Sequence, residues 1–360
     1  MWSAGSRTRS TCTPSTTTSG WTDSRARPLG TPRGRPGGGG FGPRQAGAHV
    51  QYVVQRIAHA VGVIFLVSIV TFLALRTTPG NVITSLFNPL TVGEEAVEQA
   101  IIDLGLNDPL WEQYWNYISD VLRGDLGFSV VRGKAVIDLV GSAIGYTLLL
   151  AAAAFVAAFG IGAPVGVISA LNANRMLDRI IRVFISIFQA VPNFVLALLA
   201  VLVFGVRLDW LPVSGADGPL HLVLPTLVLA AEPGALTARV SRTAVLEQLS
   251  SDFTRTLRAR GVAIWRIQWV HVLRNSLSPV ISLGGVQVRS LLGYTLIVEV
   301  IFRWPGLGSE LVGSVLNRDY PVAQSLTLLL AAVVVVSSVA ADLLHRWADP
   351  RVRLAGSEAE

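Results

Sequence analysis

The stretch SDFTRTLRARGVAIWRIQWVHVLRNSLSP, residues 251–279, decides the fold of this chain. It is polar and rich in arginine, and it separates uncharged runs that are long enough to enter a membrane. Charged side chains at this density are too costly for a hydrocarbon core. The stretch is therefore expected to lie outside the lipid, with membrane helices on both sides of it.

The same stretch predicts two short helices that meet at a glycine. Asp252 is expected to cap the first helix, in which Phe253 and Leu257 share one face. Gly261 is expected to end that helix. The second helix has an apolar stripe at spacings of four, three and four residues, formed by Trp265, Trp269, Val272 and Ser276. This stripe predicts that the second helix packs against the membrane domain.

The composition indicates a polytopic membrane protein. Of 360 residues, 51% are hydrophobic and only 14% are charged, which is too apolar for a soluble domain of this size. The net charge of +6 does not indicate a nucleic-acid partner, because residues 1–50 contain seven arginines and one aspartate and leave the remainder near neutral. Cys12 is the only cysteine, which excludes an intrachain disulfide and a cysteine-based metal site.

Residues 1–48 are expected to form a disordered head, because they are rich in Ser, Thr, Gly, Pro and Arg and have few large aliphatic side chains to bury. The head has two alternative interpretations: a basic tail that touches lipid, or a translation start assigned too far upstream. Residues 49–354 are expected to form the membrane domain, and residues 355–360 a short tail.

Six apolar runs are predicted to cross the membrane as helices. They cover residues 57–75, 143–171, 183–206, 221–238, 276–302 and 322–341. Pro192 is expected to kink the third span, and the small residues of AFGIGAPVG in the second suit close helix contact.

Seven arginines lie between Arg239 and Arg274, whereas the loop after the third span contains one arginine and the loop after the fifth span contains two. This bias predicts that loop 239–275 and both termini are cytoplasmic and that loop 76–141 is outside.

No catalytic or nucleotide-binding signature is present in the sequence. It lacks the P-loop, the dinucleotide-binding glycine pattern, H-E-x-x-H and G-x-S-x-G. The five histidines are far apart, at His49, His59, His221, His271 and His345. The chain is therefore not expected to be an enzyme or to bind a cofactor, and any ATPase that drives it must be another polypeptide.

Three ionisable residues fall within the predicted spans: Glu232, Arg289 and Glu299. Such groups are costly in lipid, so they are expected to face the bundle interior or a water path. Two roles remain open for them, namely holding helices together and contacting a solute in such a path.

Several motifs together resemble the permeases of ABC importers in the dipeptide and oligopeptide branch. RTLRARG, followed by HVLRNSLSPV, resembles the cytoplasmic loop with which these permeases dock on their ATPase. The expected coupling residues are Asp252, Arg255, Thr256, Arg258, Ala259, Arg260, Gly261, His271, Arg274 and Asn275. EVIFRWPGLGSEL, which begins at Glu299, resembles the signature of the outer face, with Trp304, Pro305, Gly306 and Gly308. With LNDPLWEQYWNYISDVLRGDLGFS and DLLHRWADPRVR, the resemblance covers residues 50–354.

The resemblance implies an all-α fold with six transmembrane helices, the type I importer core, in the plasma membrane. It implies four kinds of partner: membrane lipid, a second homologous permease subunit, two cytoplasmic ATPase subunits that use ATP and Mg, and an extracytoplasmic solute-binding protein. The implied cargo is di- and oligopeptides, with nickel chelates, glutathione and oligosaccharides as alternatives. An ion-coupled secondary carrier is the alternative from another class, but the sequence lacks the inverted repeat expected of one.

Overall fold

The computed structural model of the chain describes the backbone of residues 43–77, 107–129 and 131–348, and the side chains of residues 54–77, 107–129 and 131–340. Features expected on residues 1–42, 78–106 and 349–360 lie outside the described residues. Residues 43–48, expected to belong to the disordered head, are instead the start of a helix. The chain divides into two units, Met1–Val50 and Gln51–Glu360, and the contacts described below all lie in the second.

The described part of the chain is almost entirely helical, which confirms the predicted fold class. The helices are α1 (Pro43–Thr77), α2 (Leu110–Leu122), α3 (Val136–Leu171), α4 (Met176–Ala190), α5 (Asn193–Arg207), α6 (Pro219–Ser250), α7 (Asp252–Ala259), α8 (Ile264–Ile301), α9 (Leu307–Leu316) and α10 (Tyr320–Ala348). A short antiparallel hairpin, β1 (Phe128–Ser129) and β2 (Lys134–Ala135), precedes α3.

Five helices among the described residues are long and apolar enough to cross a membrane: Val54–Thr77, α3, α6, α8 and Tyr320–Ala340. They correspond to the predicted spans other than the third. Helices α3, α6 and α8 contain 36, 32 and 38 residues, whereas about 20 suffice to cross the hydrocarbon core. These three helices therefore extend beyond the membrane.

The third predicted span, residues 183–206, is sharply broken in the middle. Helices α4 and α5 meet at an angle of 105°, and the pair counts as a sixth span only if both arms are taken together. The break is at Pro192, as predicted. A residue before proline is driven out of the helical region, and Val191 is accordingly extended, with φ −89° and ψ 122°. The position of the bend was readable from the sequence, but its size was not.

Residues 239–275, predicted to connect the fourth and fifth spans, are mostly helical. Helix α6 continues to Ser250 and α8 begins at Ile264, so only α7 and its flanking turns interrupt the two helices. Charged residues end a hydrophobic run without ending a helix, because arginine and glutamate are good helix formers. The two spans thus leave the membrane as helices.

Helices α3 and α6 cross in backbone contact at Gly162 and Gly166. A Cβ atom built on Gly162 would lie 2.4 Å from the carbonyl oxygen of Gly234, and one on Gly166 would lie 2.3 Å from that of Ala238. The two glycines are four residues apart, so they share one face of α3. This contact confirms the close helix packing predicted from AFGIGAPVG.

The hairpin before α3 is fastened to the connection between α9 and α10. The Ser129 hydroxyl donates to the Asp319 carboxylate, and both residues are buried. Arg132 pairs with Glu310 on α9, and the Ser325 hydroxyl donates to the carbonyl of Leu126 at 2.9 Å. These bonds tie the predicted outer loop to the end of the bundle that carries α9.

Candidate functional site

The segment from Ser251 to His271, called the bent element below, begins at a rigid joint with α6. The Ser251 hydroxyl accepts from the Thr254 amide at 3.4 Å and donates to the Gln248 carbonyl at 2.8 Å. The Thr254 hydroxyl also donates to the Gln248 carbonyl, at 2.6 Å. Ser251 is therefore the cap of α7. The predicted cap, Asp252, points into solvent and pairs with Arg255 at 3.4 Å.

Gly261 makes the turn after α7, as predicted. Its φ is +76°, in the left-handed region that favours glycine. Its amide donates to the Arg258 carbonyl at 3.0 Å, and the Val262 amide donates to the Leu257 carbonyl at 3.1 Å. Leu257 and Val262 then pack on a buried cluster from α3, α6 and α8, which consists of Ala170, Val245, Ile267 and Val272.

The predicted stripe of Trp265 and Trp269 does not anchor α8. These side chains are 62% and 53% exposed, whereas Ile267, Val272 and Ser276 are buried. Residues 267–272 form a π-helical turn, which inserts one residue per turn and rotates the following face. The spacing therefore predicted the buried face correctly at Val272 and Ser276 and wrongly at Trp265 and Trp269.

Most of the predicted coupling residues lie on the exposed surface of the bent element and the start of α8. His271 is half-buried, and its ring meets that of Phe253 edge-on at 6.0 Å. The exposed members are Asp252, Arg255, Thr256, Arg258, Ala259, Arg260, Gly261, Arg274 and Asn275. The bent element thus presents a basic surface on a core-anchored support.

Asp178, which the sequence did not identify as a site residue, binds three helices together near the bent element. Its buried carboxylate accepts two hydrogen bonds from Arg242 on α6, at 2.8 and 3.0 Å. It also accepts from the Ser169 hydroxyl on α3 at 2.6 Å and from the Asn174 amide at 3.0 Å. Arg182 approaches the carboxylate to 3.5 Å. In the sequence Asp178 was only one member of a short, mainly basic turn.

Glu299 is buried and caps α9. Its buried carboxylate accepts from the Thr147 hydroxyl at 2.7 Å and from the amides of Gly308 and Ser309 at 2.7 and 3.4 Å. A carboxylate at a helix N-terminus satisfies free amides and complements the helix dipole. Of the two roles left open for Glu299, this geometry favours holding helices together.

The residues of the outer-face signature pack around the Glu299 carboxylate. A Cβ atom on Gly306 would lie 2.3 Å from the Glu299 carboxylate, and one on Gly308 would lie 2.6 Å from the Cα of Leu296. The indole of Trp304 is buried and donates to the Tyr146 carbonyl at 3.0 Å. Pro305 lies in the short connection from α8 to α9. The two glycines are therefore required by space.

The other two ionisable residues of the predicted spans form no ion pair with Glu299 or with each other. Glu232 on α6 is half-buried and accepts from the Asn193 side-chain amide at 3.3 Å. Arg289 on α8 is exposed and has no ion pair or hydrogen bond with the residues that the structure describes. Within those residues no group of His, Cys, Asp or Glu side chains could hold a metal ion.

Comparisons with known proteins match most of the chain. Residues 162–354 match the family described as binding-protein-dependent transport system inner membrane component, and residues 49–135 match the N-terminal model of such membrane components. The glutathione transport system permease protein GsiC of Escherichia coli strain K12 is 36% identical over 304 residues, covering 84% of this chain and 99% of the relative. The protein of the same name from strain CFT073 is 37% identical over the same shares.

A solved structure also matches, that of the MetNI methionine ABC transporter in inward-facing conformations. The TM-score is 0.50 at 21% identity, and the match covers 59% of this chain and 97% of the other. At this level of identity the likeness concerns the fold alone.

Proposed function

Because the chain belongs to the family of binding-protein-dependent transport system inner membrane components, we propose that it imports di- and oligopeptides as one of two permease subunits of an ABC importer. Membership makes it a multi-pass inner-membrane permease, not catalytic by itself, that works with ATPase and binding-protein partners. The proposed complex contains a second homologous permease, two cytoplasmic ATPase subunits that bind ATP and Mg, and one extracytoplasmic solute-binding protein.

The proposed cargo is supported by the relatives. They are named for the transport of glutathione, which is itself a small peptide, so a pathway that accepts short peptides is compatible with them. Glutathione itself, a nickel chelate and an oligosaccharide remain alternatives to be separated by experiment.

The observation that carries the proposed mechanism is the bent element. It joins two of the longest helices of the bundle, α6 and α8, and it is fixed to them by the Ser251 cap and by the buried cluster around Ile267. Its outward surface is basic and exposed. We propose that an ATPase subunit binds this surface through Arg255, Arg258 and Arg260, and that its closure moves α6 and α8 together.

An uptake assay tests the proposed function. A strain that lacks this chain should take up labelled di- and tripeptides poorly and regain uptake when the chain is restored. Inactivation of the partner ATPase should abolish the uptake, whereas collapse of the proton gradient alone should not. Normal peptide uptake by the deletion strain, together with lost uptake of a nickel chelate or a sugar, would contradict the peptide assignment.

The proposed orientation has the bent element and both termini in the cytoplasm, because arginines concentrate between residues 239 and 274. Single cysteines at the exposed positions Asn116 on α2 and Ser250 at the end of α6, in a background without Cys12, test it. A membrane-impermeant thiol reagent should label position 116 and spare position 250 in the intact cytoplasmic membrane. The reverse pattern would invert the topology.

Replacing Gly261 by valine should reduce transport by roughly five- to thirtyfold, because a positive φ costs a branched residue about 1–2 kcal/mol. The added side chain itself has room, since nothing lies within 4 Å of a Cβ atom there. The measurement is peptide uptake together with co-purification of the ATPase.

Gly261→Asn is the matched control for that variant, because asparagine adds a side chain but tolerates a positive φ. It should transport nearly as well as the wild type. If both variants lose transport equally, the defect arises from the added side chain and not from the bend. Full transport by Gly261→Val would show that the turn does not need its present conformation.

A further inference from the structure

We propose that Arg289 binds the carboxylate of the transported solute halfway through the membrane. The inference rests on the proposed import of peptides, whose C-terminal carboxylate would be the ligand. It assigns a chemical role to an intramembrane cation for which the fold of the described residues provides no partner.

The position of Arg289 along α8 places it near the centre of the lipid bilayer. It lies twelve residues before Ile301, where α8 ends next to the outer-face signature. At 1.5 Å per residue this is about 18 Å, roughly half of a hydrocarbon core of about 30 Å. An arginine at that depth is costly against lipid.

Arg289 points away from the core of this chain. Side chains on the opposite side of α8, including Val280, Gln287, Leu291 and Val298, are buried. Gln287 donates to the Pro233 carbonyl at 2.9 Å, which fixes that side of α8 against α6. Rotation of α8 to bury Arg289 would expose these residues, so the guanidinium stays on the outside of the chain.

The strip of α8 that carries Arg289 consists of small and polar residues between residues 278 and 293. Spacings of four, three, four and four residues place on one face Ser278, Ser282, Gly285, Arg289 and Gly293. Exposed apolar side chains flank this strip on α8, among them Ile281, Val286 and Ile297, whereas the exposed side of α1 includes Ile57, Phe65 and Val70. Large apolar side chains suit lipid, whereas the narrow strip of serines and glycines around Arg289 suits contact with water or a polar ligand.

The guanidinium of Arg289 suits an anion with two coplanar oxygens, such as a carboxylate. A guanidinium binds a carboxylate through two parallel hydrogen bonds, and the small neighbours Gly285 and Gly293 leave space beside it. A peptide that crosses a region of low dielectric needs its charged end groups matched. Arg289 would supply the matching positive charge for the C-terminal carboxylate of each peptide, whatever side chains the peptide carries.

Reconstituted transport tests this role. The complete importer, with its binding protein, is placed in liposomes and given two tripeptides of the same sequence, one with a free C-terminus and one with a C-terminal amide. Calorimetry first establishes that the binding protein holds both. Arg289→Gln should slow subsaturating uptake of the free acid about ten- to a hundredfold and change uptake of the amide less than about twofold.

Two further variants sharpen that comparison. Arg289→Lys keeps the charge without the paired donors, so it should retain part of the uptake of the free acid. Arg207→Gln removes the same charge from an exposed position at the end of α5, and it should leave both rates unchanged. Equal losses for acid and amide would mean that Arg289 pairs with a residue of the second permease, and unchanged rates would mean that it contacts no cargo.

Accessibility of position 289 provides a readout that does not depend on the cargo. In a background without Cys12, Arg289→Cys should react with a water-soluble thiol reagent during ATP turnover. Reaction only with a lipid-soluble reagent would place the residue against lipid and overturn the inference. If the wild-type importer carries neither peptide, the proposed cargo is wrong, and the labelling still decides whether Arg289 faces an aqueous path.

Discussion

Replacing Gly166 by alanine is expected to prevent stable packing of α3 against α6. The added Cβ atom would lie 2.3 Å from the carbonyl oxygen of Ala238 and 2.7 Å from the Cβ of Ser241. The nearest atom belongs to the backbone, so no rotamer change relieves the contact. Helices α3 and α6 must therefore move apart where they cross. Overpacking in a core typically costs about 1–3 kcal/mol, and separating this crossing should cost more.

The measurement for Gly166→Ala is the yield of monodisperse protein in detergent and its thermal midpoint. Gly160→Ala is the matched control, because it adds the same methyl group six residues earlier on α3, at an exposed glycine with nothing within 4 Å. Alanine also favours the helix over glycine by about 0.5–1 kcal/mol. The control should therefore be as stable as the wild type or slightly more so. Equal behaviour of the two variants would contradict the close crossing.

Replacing Asp178 by alanine is expected to destabilise the protein by about 3–5 kcal/mol, the cost of leaving one partner of a buried ion pair without the other. Arg242 would lose both of its hydrogen bonds to the carboxylate, and Ser169 and the Asn174 amide would lose their acceptor. Transport should fall with stability, because Arg242 lies on the helix that leads into the bent element. Thermal unfolding in detergent and peptide uptake measure the two effects.

An exposed ion pair of the same chain is the control for Asp178. Asp120 on α2 and Arg123 just after its end approach to 3.8 Å, with side chains that are 55% and 76% exposed. Such a pair contributes at most about 1 kcal/mol, so Asp120→Ala should have little effect. Asp178→Ala combined with Arg242→Leu should recover part of the loss, since no unpaired charge remains buried. A loss for Asp178→Ala no larger than for Asp120→Ala would rule out a structural role for the pair.

The Asp178 cluster shows why a sequence can omit an important residue. The aspartate and Arg242 are 64 positions apart, and neither lies in a pattern with its partner. In the chain Asp178 stands among Arg175, Arg179 and Arg182, which is typical of a cytoplasmic turn. Asp178 can stabilise the fold only because α4 and α6 pack against each other. Local periodicity in the sequence contains no information about that contact.

The patterns that could be read from the sequence are those whose cause is local. A run of apolar residues long enough for the bilayer predicts a span wherever it occurs, and a glycine between two amphipathic stretches predicts a turn such as that at Gly261. The motifs of the bent element and of the outer face were equally visible. These features together sufficed for the fold class and the family.

Tertiary structure decided the direction in which side chains point and what they meet. The π-helical turn of residues 267–272 turned Trp265 and Trp269 outward, the bend at Pro192 became a 105° break, and Glu299 became the cap of α9. Each outcome depends on contacts between segments that are distant in the chain or on backbone hydrogen bonds that periodicity does not encode. The sequence by itself therefore determined which segments are apolar enough to enter the membrane. The packed helices determined which of their polar groups support the fold, and they left Arg289 exposed and without a partner among the described residues.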